Sequence, residues 1–155
     1  YDLSELPIPL DAVDEAETAA PRVLDMAAIQ RFMFTIGPVS SLFDFITFAV
    51  LLKVFDASEA LFQTGWFVES LCTQVLVIFV IRTRGNPLRS RPHPVLTATS
   101  LGIVALAMAL PFTPMAGVFG FTPLPAGFYA ALAVMVLVYL LLVMVVRRQI
   151  ERRAV

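Results

Sequence analysis

Four apolar runs, each close to twenty residues long, dominate the pattern of hydrophobic and polar positions. They fall at residues 32–55, 62–81, 95–112 and 128–146, parted by stretches rich in charge, proline or glycine. A helix needs about 20 mainly apolar residues to cross the hydrocarbon core of a bilayer. No water is present there to satisfy backbone groups, so a spanning segment of this kind is helical. The pattern predicts an all-α membrane protein with four transmembrane helices. The third run is short and stopped by Pro111 and Pro114, whereas the fourth is almost pure Leu, Val, Ala and Met. Ahead of the first run, Asp25 can cap a short helix that begins at Met26 and runs into the first span. Residues 1–10 carry Leu3, Leu6, Ile8 and Leu10 among prolines, and are expected to be the tail of a preceding helix. Residues 11–31 form an acidic connection.

Composition agrees. Of the 155 residues, 59% are hydrophobic and 15% charged, and the mean hydropathy is +0.84. Average globular chains are roughly 45–50% apolar and about 25% charged, so a soluble domain is excluded. The single cysteine, Cys72, forms no internal bridge and is expected to pack as a small apolar residue. No basic stretch is interleaved with aromatics, so nothing points to nucleic acid.

The net charge of −1 hides an asymmetry. Seven acids lie within residues 1–30, whereas Arg82, Arg84, Arg89 and Arg91 fill the connection at 82–94, and four arginines occupy 147–155. Short loops on the cytoplasmic side collect Lys and Arg. Four spans place ten of the eleven basic residues on one face, leaving Lys53 to snorkel at the other. Both termini are therefore expected in the cytoplasm. The opposite face carries the loop at 56–64 and the uncharged, proline-rich loop at 113–127. The Tyr start and acidic leader resemble neither a signal nor a transit peptide, and are expected of a segment cut from a longer chain.

An ionisable group inside a membrane helix is costly and marks a candidate site. Asp44 lies about 18 Å from the inner end of its span at 1.5 Å per residue. Ser40, Ser41 and Thr47 share its helical face, a polar stripe expected to meet neighbours from helices outside this chain. Glu69 lies about 10 Å from the outer end of the second span, with Ser70, Thr73 and Gln74 nearby. Two explanations stand: carboxylates lining a cation path, since hard cations take oxygen ligands, or interhelical hydrogen bonds with a structural role. Trp66, Phe128 and Tyr129 fall at span ends as expected of interfacial aromatics, and Tyr139 at mid-span is expected only to pack. Pro38, after Gly37, removes a helix hydrogen bond and is expected to kink the first span. His93, between two prolines, is expected to be solvated.

No phosphate-binding loop, dinucleotide turn, zinc motif or nucleophile elbow occurs. What does occur is a series of local matches: Tyr1-Asp2-Leu3-Ser4, Ile8-Pro9, Val13-Asp14-Glu15, Arg31-Phe32-Met33 and Gly37-Pro38-Val39-Ser40-Ser41-Leu42-Phe43-Asp44 with Thr47-Phe48. Leu61-Phe62-Gln63-Thr64-Gly65-Trp66-Phe67-Val68-Glu69 follows, then Thr73-Gln74 and Ile81-Arg82-Thr83. In order and spacing these resemble the C-terminal end of magnesium-transporting P-type ATPases over about the first 84 residues. Beyond Gly85 the match thins to Leu110-Pro111-Phe112 and the helical pattern. The resemblance implies spans seven to ten of a ten-span, bacterial inner-membrane pump. Mg²⁺ would be the transported ion, and ATP would act in cytoplasmic domains outside this chain. Partners would be the bilayer and the remaining helices and domains of the parent. It also implies that Asp2 matches an aspartate at the break of the sixth span that ligates the cation. Asp44 falls in the seventh-span motif. Glu69 shares its span, though not its motif, with a glutamate used by calcium pumps.

Two other classes fit the composition: a self-standing four-span scaffold or regulator, and a small oligomeric cation channel lined by Asp44. The four-span topology itself is checked by cysteine labelling in the membrane. Glu59→Cys and Arg89→Cys should react from opposite sides, and labelling of both from one side would refute it.

Overall fold

The computed structural model describes residues 2–11, 26–82 and 91–153. Among them there is no strand. A turn of helix, α1 (Asp2–Glu5), and a 3-10 turn (Ile8–Leu10) precede the long α2 (Met26–Lys53). The second crossing is α3 (Glu59–Leu76) continued by α4 (Ile78–Ile81), and the third is α5 (Pro94–Ala109), ending in a 3-10 turn (Leu110–Phe112). The short α6 (Ala116–Phe119) leads into α7 (Ala126–Arg153). Four helical segments are thus long and apolar enough to cross a membrane: Ile29–Lys53, Glu59–Ile81, Pro94–Phe112 and Ala126–Ile150. The expected loops at 11–31 and 82–94 lie mostly outside the described residues, as do the Asp25 cap and Arg84 and Arg89.

The crossings begin and end differently from the apolar runs for local reasons. α2 is continuous from Met26 through Pro38, so the expected short helix and first span are one element. α3 starts three residues early because Ser58 caps it, its hydroxyl accepting the Leu61 amide at 3.4 Å. An N-cap oxygen of this kind satisfies one of the orphan donors of the first turn. α7 runs past Val146 through the basic tail, because straight-chain Arg and Gln are good helix formers.

The buried positions of each crossing recur at helical spacing. On α7 they are Phe128, Leu132, Met135, Tyr139, Val143 and Arg147. On α2 they are Ile36, Phe43, Thr47 and Leu51, and on α3 Thr64, Gly65, Val68, Glu69, Cys72 and Thr73. α3 packs against α2, α5 and α7, and α2 also packs against α7. Two apolar clusters result. One joins Ile36, Phe43, Val80, Met135, Tyr139 and Val143. The other joins Leu51, Val68, Cys72, Leu124, Phe128 and Leu132. Phe128 is fully buried, a core anchor rather than the interfacial residue its place at a span end suggested. The outward faces carry exposed Phe34, Phe45, Leu106, Val134 and Leu137, as a lipid-facing surface would.

Outside the apolar core, one ion pair ties the N-terminal segment down. Asp11 Oδ2 meets Arg82 at 2.5 Å, and both side chains are under 10% exposed. Its other oxygen accepts the His93 amide at 2.6 Å. Asp11, expected in a solvated loop, thus clamps the start of the chain to the connection between the second and third crossings, while α1 rests on α5. His93 is correspondingly half-buried, and its Nδ1 accepts the Val95 amide at the start of α5.

Gly65 leaves room on α3 for the side chain of Leu51 from α2. A Cβ there would lie 2.7 Å from Leu51 Cδ2 and 3.3 Å from Phe128 Cζ. Overpacking of a tight core costs about 1–3 kcal/mol. Gly65→Val should therefore lower unfolding stability in detergent by about that amount, with partial recovery when Leu51→Ala is added. Equal stability of wild type and Gly65→Val would show that the contact is loose.

Candidate functional site

Polar side chains of α2, α3 and α7 meet between the two apolar clusters. On α2, Ser40, Asp44 and Thr47 follow one another at intervals of four and three, so they share a face. Each finds a partner on another crossing. Ser40 Oγ lies 2.9 Å from the Tyr139 hydroxyl. Asp44 Oδ1 accepts the Trp66 indole N–H at 3.0 Å. Thr47 is fully buried and its hydroxyl points at Met135 Sδ, 3.6 Å away. The stripe was expected to require helices from outside this chain; instead the four crossings satisfy it themselves. Ser41 is the exception, facing outward and exposed.

Glu69 is the centre of this seam. It is 1% exposed, with Thr47 facing its carboxyl and Asp44 within electrostatic reach. Cys72 and Tyr139 are also near enough to feel its charge. Among the described residues its Oε2 has no hydrogen-bond partner. A buried acceptor left unpaired costs about 1–3 kcal/mol or more, and the buried Ser100 hydroxyl on α5 is in the same state among the described residues. Thr73, one turn on, bonds backward to the Glu69 carbonyl at 3.1 Å rather than to the carboxyl.

The three acids singled out in the sequence do not gather at one point. Asp44 and Glu69 come together, whereas Asp2 is exposed on α1, which rests on α5. Among the described residues no group of three or more His, Cys, Asp or Glu side chains is placed to hold a metal ion. The seam offers two carboxylates and three hydroxyls from Ser40, Thr47 and Tyr139, all oxygen donors suited to a hard cation or to protons.

Tyr139 and Trp66 are the seam residues that sequence reasoning treated as packing or interfacial. Both make long-range polar bonds, and each bonded partner lies on a different helix. An unusual hydroxyl in the middle of an otherwise aliphatic fourth span was the available signal for Tyr139.

Residues 12–149 match the family described as cation transporting ATPase, C-terminus. The chain is 41% identical over 154 residues to the magnesium-transporting ATPase, P-type 1, of Salmonella typhimurium strain LT2, covering 96% of this chain and 17% of that protein. It is 37% identical over 158 residues to the protein of the same name from strain 14028s, and 35% identical over 158 residues to that of Escherichia coli K12. In both cases 99% of this chain and 18% of the relative are covered. The chain therefore spans 17–18% of the length of these relatives.

The Ser40–Tyr139 bond is open to a double-mutant cycle. Interhelical polar bonds in membranes couple by about 0.6 kcal/mol on average, and by up to about 1.7. Ser40→Ala and Tyr139→Phe should show a coupling in that range when unfolding is followed in detergent micelles. Strict additivity would mean that the hydroxyls do not meet.

Proposed function

Because this chain belongs to the family of cation-transporting ATPase C-termini, we propose that it forms the C-terminal part of the transport domain of an ATP-driven magnesium-importing pump. The observation that carries this is its identity with magnesium-transporting ATPases along nearly its whole length. On this reading the four crossings are spans seven to ten of a multi-pass bacterial membrane protein, with both ends in the cytoplasm. Lipid covers their outward faces. ATP hydrolysis and the aspartyl-phosphate belong to domains of the parent outside this chain, and Mg²⁺ is the cargo.

The seam is the natural place for these spans to contribute to ion movement. Charged groups inside membranes are few, and carboxylates that persist there serve substrate or ion pathways more often than packing. We assign Asp2 as a carboxylate ligand from the end of the preceding span, on the family pattern. Asp44 and Glu69 then supply negative charge deeper among the helices. Asp44 is held by the Trp66 indole, so its carboxylate orientation is fixed before any ion arrives.

Growth of a magnesium-starved strain, rescued by the full-length parent, tests the assignment. Asp2→Asn keeps shape, removes charge and should abolish rescue while membrane abundance stays normal. Asp44→Asn should weaken rescue less. Asp56→Asn should do little, since Asp56 is exposed and its backbone φ of 45° suits Asn as well as Asp. Full rescue by Asp2→Asn would remove that residue from the ion site.

A further inference from the structure

The connection between the third and fourth crossings has the makeup of a buried segment and the exposure of a surface one. Residues 92–146 contain no Asp, Glu, Lys or Arg, so the connection is as free of charge as the helices it joins. One side of it is folded onto the bundle. Pro111, Ala116 and Leu124 are buried, Phe121 lies against Phe67 with ring centroids 4.8 Å apart, and the Thr122 amide donates to Thr64 Oγ1 at 3.1 Å. The other side presents Phe112, Met115, Val118 and Phe119, which are between 54% and 80% exposed. In water four large apolar side chains on one short loop form a costly patch.

Much of the backbone of the same loop is bonded internally, as membrane depth favours. Segments at membrane depth must satisfy their polar groups internally. Prolines at 111, 114, 123 and 125 have no N–H to satisfy. The amides of Thr113, Ala116, Val118, Gly120 and Phe121 bond within the loop, three of them at 2.8–3.0 Å and Thr113 at 3.1 Å. The Thr113 hydroxyl turns back onto the Leu110 carbonyl at 2.8 Å. Gly120, at φ 70°, supplies the left-handed turn that brings Phe121 back to the bundle.

From the absence of charge, the one-sided apolar face and the internally bonded backbone, we propose that this connection enters the bilayer and seats Met115, Val118 and Phe119 among lipid acyl chains. The outward faces of α5 and of α7 as far as Val146, and the exposed side of this connection, are alike free of charge, which favours lipid over a protein partner. It acts as a shallow re-entrant anchor that fixes the depth of the third and fourth spans. The inference rests on the reading of the four helices as membrane spans.

Spin labels on single cysteines in the full-length parent test it, with the protein freed of other reactive cysteines and placed in phosphatidylethanolamine–phosphatidylglycerol vesicles. Labels go at Val118, at Gly117, whose added Cβ meets nothing within 4 Å, at Asp56 as an aqueous reference, and at Leu137 as a lipid reference. Either loop label should collide with oxygen as readily as the Leu137 label does. Each should also collide several-fold less than the Asp56 label with a water-soluble nickel chelate. Nickel collision at the Asp56 level would place the loop in water, and low collision with both reagents would place it under another part of the pump. Either result overturns the proposal. A lipid signature at Leu137 alongside them would leave the span assignment standing, whereas an aqueous signature at Leu137 would defeat that assignment itself.

Discussion

The hydrocarbon core offers no water, so each polar group carried into it must find a partner on its own or a neighbouring helix. That constraint organises this bundle. Ser40 finds Tyr139, Asp44 finds Trp66, and Thr47 finds Met135, and these pairs fix how the first crossing sits against the second and fourth. Apolar packing above and below completes the contacts, because lipid tails are as apolar as Leu and give helices little reason to choose one face over another. The same logic acts at the helix ends. The Val80 carbonyl, in the last turn of α4, accepts the buried Arg147 guanidinium.

The second crossing is the hub, since it packs on all three others and carries Glu69, Thr64 and Gly65 on its buried face. Thr64 illustrates how such a position serves two ends at once. Its hydroxyl donates to the Ala60 carbonyl at 2.7 Å and accepts the Thr122 amide from the connection before the fourth crossing. The clamp of Asp11 on Arg82 and His93 does the same at the chain's start.

Much of the fold was legible in the sequence, and the reason is the bilayer: a run of about 20 apolar residues has few other uses. The four crossings, the acids at depth on the first two and the buried Cys72 all followed from that. Helix ends were less legible, since Ser58 and the basic tail extend helices beyond the apolar runs through capping and propensity rather than hydropathy. Spacing along one helix places Ser40, Asp44 and Thr47 on one face, but it cannot say which helix they meet. The polar bonds of Trp66 and Tyr139, and the ion pair of Asp11, were therefore not foreseen. Their partners lie 22, 99 and 71 residues away in sequence.

Glu69 concentrates the remaining question, because the bundle seals it completely yet, among the described residues, leaves Oε2 without a partner. A group kept for folding would be expected to have its bonds complete, whereas a group kept for ions or protons is retained at the expense of stability. Replacing it in the full-length parent by Gln or by Met separates the two. Unfolding midpoint in detergent and magnesium uptake into vesicles are read on the same preparations. The account predicts uptake lost in both variants, with the midpoint unchanged or raised. Uptake retained together with a lowered midpoint would contradict it and make Glu69 a structural residue.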